Sequence, residues 1–273
     1  HISPFCQMID FHNHILPNID DGSKSLEMSL DMLRHAQYQG ITDVVNTVHF
    51  QHPKMDGKGI SYESIRKVVE VLQKKLDSEG INVKIHIGSE VFFLPNLTEL
   101  KKNPLCTIGG GKYMLIEFPI IKFPIGFDVE LYKLKLNGVT PIIAHPERYR
   151  DVQNNYKILS KFIDKGYIIQ LDAGSLLGHF GRETKKCVNN IIASGYFHLI
   201  GSDAHNNKKR NFCIDDLFKI KNPIIDEYNT LIFKENPLSI INGESVSPIN
   251  EYFSKNDRLS LWKKIVHKFQ VSS

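Results

Sequence analysis

Two imidazoles stand two residues apart in Ile9-Asp10-Phe11-His12-Asn13-His14, and Asp20-Asp21-Gly22 follows closely. In extended backbone, residues i and i+2 face the same side, so His12 and His14 can present nitrogen to one ion. Alone the pair is weak evidence, because a His-x-His on a strand face is commonly incidental. Its companions give it weight. Thr47-Val48-His49, Gly88-Ser89-Glu90, Leu115-Ile116-Glu117, Ile143-Ala144-His145 and Gly201-Ser202-Asp203-Ala204-His205 each place a His or an acid at the end of an apolar run. The donors are nitrogen and oxygen without sulfur, since Cys6, Cys106, Cys187 and Cys213 are scattered with no Cys-x-x-Cys spacing. Such a set suits two or three divalent ions. Of the other histidines, His35, His52 and His86 are predicted to be structural or solvent-facing, and His179, His198 and His267 have no partner motif.

The elements that must position these residues are legible in the apolar pattern. Short apolar stretches at Met8–Phe11, Asp43–Val48, Val83–Gly88, Tyr113–Phe118, Thr140–Ala144, Tyr167–Leu171 and His198–Gly201 are predicted to be buried parallel strands. Helical spacing appears between them, from Ser23 or Ser25 to Gly40, from Ser61 to Glu79, and over Phe127–Asn137, Asn154–Lys165 and Glu183–Ala193. This alternation predicts a βα barrel or a doubly wound sheet, and in such folds catalytic groups gather at the carboxyl ends of the strands. Every candidate ligand falls there. Beyond Asp203, Asp226–Phe233 and Asn236–Ile241 are predicted as short covering helices. Asn256–Gln270 carries Leu259, Trp262, Ile265, Val266 and Phe269 at helical spacing among lysines, as a helix packing on the barrel or a subunit, or touching a membrane surface or partner, would. No repeat or linker divides the chain, so one barrel domain is expected over residues 8–243, flanked by extensions 1–7 and 244–273.

The 273 residues, 41% hydrophobic and 23% charged, have the composition of an ordinary globular protein. A net charge of +4 is too mild to imply nucleic-acid binding. No apolar run reaches bilayer-spanning length, no secretory pattern opens the chain, and cysteine usage favours a reducing compartment; a cytoplasmic location is expected.

Taken together, Asp10-Phe11-His12-Asn13-His14-Ile15-Leu16-Pro17, Ile19-Asp20-Asp21-Gly22-Ser23, Ala144-His145-Pro146-Glu147-Arg148-Tyr149 and the motifs above resemble the polymerase-and-histidinol-phosphatase (PHP) superfamily. More narrowly, they resemble the bacterial manganese-dependent protein-tyrosine phosphatases of capsule and exopolysaccharide operons. The match runs from Met8 to Ile241 and says nothing of the Trp262 stretch. It implies an α/β fold, a distorted (β/α)7 barrel holding three divalent ions, manganese first, with iron, magnesium or zinc as alternatives. By resemblance, His12, His14, Glu90 and Asp203 hold the first ion, and Glu90, Glu117 and His145 the second, with Glu90 bridging. Asp21, His49 and His205 hold the third. Arg148 and Arg210 match two substrate-facing arginines. Glu117, where histidinol-phosphate phosphatases carry His, favours the tyrosine-phosphatase branch. The second motif departs from the usual Thr-Pro-His or Thr-Ser-His at Val48.

The implied reaction is hydrolysis of a phosphomonoester by a hydroxide shared between two ions, with the arginines binding phosphoryl oxygens. A Cys-x5-Arg loop is absent, so no phosphocysteine is expected. The implied substrate is phosphotyrosine in protein, on the tyrosine-rich tail of a polysaccharide-export kinase; homo-oligomers are compatible with the sequence. The alternatives are a small-molecule phosphatase, such as one acting on histidinol phosphate, and a non-catalytic metal-containing regulator of the export machinery. Part of the segment Phe118–Phe127, with Phe92 and Phe93, is expected to line an apolar rim for the aromatic ring, Phe123 among it.

Overall fold

Residues such as Val45, Leu115, Ile142, Ile168 and Leu199 gather in one buried cluster, whereas their chain neighbours Val44, Ile116, Ile143, Ile169 and Ile200 belong to a second. That two-residue alternation is what strands do when they close on themselves, the first set filling the barrel and the second meeting the helices. The computed structural model, which describes residues 7–55 and 59–253, shows this arrangement. Seven parallel strands run in sequence order round one sheet. They are β1 (Met8–Asn13), β2 (Ile41–Phe50), β3 (Lys84–Phe92), β4 (Tyr113–Glu117), β5 (Thr140–Ala144), β6 (Ile168–Asp172) and β7 (Leu199–Gly201). The seam between β7 and β1 is nearly closed. Asn13 bridges to Ala204, the Asp203 N–H donates to the His12 carbonyl at 2.7 Å, and the Ser202 N–H donates to Asp10 Oδ2 at 2.9 Å.

The helices start where the sequence supplies caps. Ser25 accepts from the Met28 N–H at the head of α1 (Leu26–Tyr38), and Ser61 and Ser64 form a reciprocal capping box on α2 (Tyr62–Ser78). Downstream lie α3 (Leu97–Leu100), α4 (Phe127–Leu136), α5 (Arg150–Asn154), α6 (Ile158–Asp164), α7 (Ala173–Leu177) and α8 (Arg182–Ser194). The helix predicted over Asn154–Lys165 is shorter, α6 alone, and Asn154 instead closes the separate α5, the chain leaving helical geometry at Asn155 with φ −151° and ψ 82°. The one predicted over Asp226–Phe233 is a short helix at Pro223–Glu227 followed by a π-helical turn at Leu231–Glu235. Pro223 starts the first piece a turn earlier than the apolar pattern suggests, because its fixed φ suits a first helical turn. The amphipathic Asn256–Gln270 stretch and residues 1–6 lie outside the described residues. Among the described residues no helix is long and apolar enough to cross a membrane.

Candidate metal centre

The strands bring the candidate residues to one end of the barrel. β2 and β3 run two to four residues further than the apolar pattern indicates, so His49 and Glu90 sit within the strands and pair in register. Glu90 occupies the centre. Its carboxylate lies 3.3 Å from His12 Nε2, 3.5 Å from His14 Nε2, 3.2 Å from His49 Nδ1 and 2.8 Å from His145 Nε2. Asp203 stands opposite, 3.5, 3.4 and 3.3 Å from His12, His14 and His205. Asp21 Oδ1 is 3.3 Å from Nε2 of both His49 and His205. His145 and Asp203 both adopt positive φ, 31° and 49°, a conformation costly to side-chain-bearing residues that clusters at functional sites.

Outer partners aim the rings. Gln170 Oε1 can only accept, so its 3.0 Å contact with His12 Nδ1 fixes the proton there and turns the Nε2 lone pair inward. Asp20 Oδ2 does the same for His14 at 2.7 Å, and the Asp203 carbonyl for His205 at 2.8 Å. His12 Nε2, His14 Nε2, His145 Nδ1 and Glu117 Oε2 are buried without a hydrogen-bond partner among the described residues. Buried polar atoms normally have one. Convergent lone pairs on nitrogen and oxygen meet that requirement with cations, so the residues present fit divalent ions.

The electrostatics agree. Burial raises the Glu90 carboxyl, but His12, His14 and His145 outweigh it and hold the group well below the carboxylate range. Asp203 is likewise buried yet held well below its ordinary value by Arg148, His205 and His12. Burial, with the charges of Glu90 and Asp203 beside it, pushes Glu117 well above. Glu117 is thus the acid of the cluster that neighbouring cations leave unbalanced, and a bound cation would offset its charge.

Four sets of side chains offer donor atoms close enough to share an ion: His14, Asp21, His49 and His205; His12, Glu90 and His145; His12, His14 and Asp203; and His49, His52 and Glu117. His14 thus also faces the set that resemblance reserves for Asp21, His49 and His205, and Glu117 lies by His49 and His52. His52 lies in the loop after β2, but the solvent-facing position expected for it needs correction. Gln51, at φ 48°, reverses the chain after β2 and folds His52 back, its ring 4.5 Å from that of His49 and its Nε2 3.5 Å from Glu117. His35, His86 and His198 are structural: they pair with Gln39, Asp43 and the Ile169 N–H.

Arg148 and Arg210 flank the cluster. Arg210 donates through Nη2 to Asp203 Oδ2 at 2.7 Å, and Arg148 Nη2 is ion-paired with the same oxygen at 2.7 Å while donating to the buried Asp172. Of the residues expected in an apolar rim, Phe92 is half-buried and edge-on to His52 at 4.9 Å, but Phe93 and Phe123 turn away from the surface. Phe123 stacks on Phe127 and packs edge-on to Phe118, while Phe93 stacks on Phe118, all inside the core. Apolar burial wins over exposure for these rings, and Ile121 and Ile125 take the exposed places in the same loop.

The model of the CpsB/CapC family, described as capsular polysaccharide synthesis, matches residues 8–242. Tyrosine-protein phosphatase YwqE of Bacillus subtilis is 35% identical over 206 residues, covering 75% of this chain and 80% of that protein. Tyrosine-protein phosphatase CpsB of Streptococcus pneumoniae is 29% identical over 249 residues, 86% of this chain and 98% of that one. A crystal structure from work on these two proteins, which describes them as metal-dependent tyrosine phosphatases, superposes with a TM-score of 0.79 at 31% identity, covering 88% of this chain and 99% of its own. A phosphotriesterase homology protein from Escherichia coli, 13% identical with a TM-score of 0.54 over 86% of this chain and 98% of its own, shares the fold. With the barrel, the ligand cluster and these matches in agreement, the chain belongs to the CpsB/CapC family of capsular polysaccharide synthesis.

Proposed function

We propose that this chain is a metal-dependent protein-tyrosine phosphatase that hydrolyses phosphotyrosine on the tail of a polysaccharide-export kinase in the cytoplasm, using three divalent ions, manganese in the native state. The observation that carries the reading is the convergence of buried, inward-facing His and carboxylate donors beside two arginines that share Asp203. The capsule-synthesis family supports the choice of substrate protein.

Bound ions would supply Lewis acidity toward phosphoryl oxygens and lower the pKa of water. His12, His14, Glu90 and Asp203, with Glu117, His145, Asp21, His49 and His205, are the residues that would hold them. Arg148 and Arg210 receive the phosphoryl group; guanidinium suits this because it donates two parallel hydrogen bonds and stays protonated. Arg148 is held protonated despite burial, by Asp172 and Asp203. Its Nε–H is buried with no hydrogen-bond partner among the described residues, a donor ready for a phosphoryl oxygen. Asp203 and Asp172 orient the fork before substrate arrives, so little ordering is left for the binding step.

Chelator-stripped protein reloaded with manganese and offered phosphotyrosine peptide, phosphoserine peptide and histidinol phosphate tests the reading. Turnover of the phosphotyrosine peptide alone is expected. Preferential turnover of histidinol phosphate would overturn it in favour of a small-molecule phosphatase.

A further inference from the structure

Between α7 and α8 the chain makes a short loop, Gly178-His179-Phe180-Gly181, whose glycines sit at φ 93° and 88°. Such angles strain any residue with a Cβ, so the two glycines permit the sharp turn that presents Phe180. The ring rests against the first turn of α7, where a Cβ added to Gly174 would come 3.1 Å from Phe180 Cε2. It also meets both arginines. Arg148 Cζ lies 3.8 Å from the ring centroid and Arg210 Cζ 5.8 Å. The same two guanidiniums share one oxygen of Asp203.

We propose that Phe180 is the positioning residue of this arginine pair, fixing both guanidiniums as a clamp for a tetrahedral oxyanion. The inference rests on the reading above, in which the arginines receive the phosphoryl group. An ion pair made through Nη2 leaves a guanidinium free to pivot about that nitrogen; a ring against the group restrains the pivot through its quadrupole. The residue type matters too. An amide or carboxylate at position 180 would accept from the arginines and compete with the ligand, whereas a phenyl ring offers no lone pair. Arg148 Nε, without a hydrogen-bond partner among the described residues, keeps its donor for the anion.

The test uses the manganese-loaded full chain, with orthophosphate titrated calorimetrically and phosphotyrosine-peptide kinetics run in parallel. Phe180→Leu keeps apolar bulk and loses the ring; it should raise the orthophosphate Kd and the peptide KM by a common factor, roughly 2- to 30-fold, with kcat moved less. Phe180→Tyr should stay within about twofold of the parent. Unchanged orthophosphate affinity in Phe180→Leu, equal losses in the Leu and Tyr variants, or no orthophosphate binding by the parent would each overturn the proposal. If the titration shows the expected order while no variant hydrolyses the peptide, the clamp stands and the phosphatase reading fails.

Discussion

Asp20 accepts a hydrogen bond from His14 Nδ1 at 2.7 Å, in a pair almost wholly withdrawn from solvent. The same carboxylate oxygen accepts the His49 N–H at 3.1 Å, so one acid fixes a ring just beyond the end of β1 and the backbone of β2. Partners of this kind set the tautomer and basicity of a metal-binding imidazole. Asp20→Ala should weaken divalent-metal affinity by about 10- to 100-fold, read by competition with a metal-sensitive dye. Unaltered affinity would show that His14 needs no orienting partner.

Gly201 marks where β7 meets β1. A Cβ there would lie 2.7 Å from His12 Cβ and 2.9 Å from Gln170 Nε2. Nothing in this contact can swing aside, because one neighbour is the stem of His12 and the other is the amide that orients it. Gly201→Ala should cost about 1–3 kcal/mol of stability and lower metal affinity as well, measured by denaturant unfolding and by metal titration.

The two arginines should separate in their effect on stability. Arg148 has little exposure and neutralises Asp172, which is fully buried, so Arg148→Met strands a carboxylate and should destabilise by about 3–5 kcal/mol. Arg210, 35% exposed, shares only Asp203, and Arg210→Met should change stability by about 1 kcal/mol or less. Both should lose about 100- to 1,000-fold in kcat/KM. Denaturant curves and initial rates on phosphotyrosine peptide check the contrast.

His198 gives a pH signature remote from the centre. It is buried and accepts the Ile169 N–H, and burial pushes its pKa down to about 3 from 6.5. The unfolded chain therefore binds a proton that the folded chain refuses between those values. Its contribution is complete above about pH 6.5 and is lost as pH falls, at up to roughly 1.4 kcal/mol per pH unit. His198→Asn, whose Oδ1 can replace Nδ1 as acceptor, should flatten this. The gap between variant and parent should close by roughly 2–3 kcal/mol from pH 7 to 4.5, read by urea unfolding across that range.

The strand ends and the ligand-type residues on them were legible because both are local patterns: an apolar run, then a polar residue with a lone pair. What aims those residues is not local. Gln170 is 158 positions from His12, Asp172 is 24 from Arg148, and Phe180 is 32 from Arg148, and no spacing rule connects them. Asp20 stands only six residues from His14 and was quoted in the motif, yet its role depends on a loop that folds back. The inward orientation of His52 is hidden for a related reason, since a single left-handed residue, Gln51, decides whether the chain leaves the barrel mouth or returns to it. Phe93 and Phe123 were misassigned because sequence does not distinguish an aromatic beside a site from one beneath it.

The most direct measurement is the rate of phosphate release from a phosphotyrosine peptide as manganese is added back to chelator-stripped protein. No hydrolysis is expected without metal, with activity rising to a plateau near about three equivalents per chain and absent throughout in His145→Ala. Full hydrolysis by protein shown to be metal-free, or a normal plateau in His145→Ala, would contradict the account.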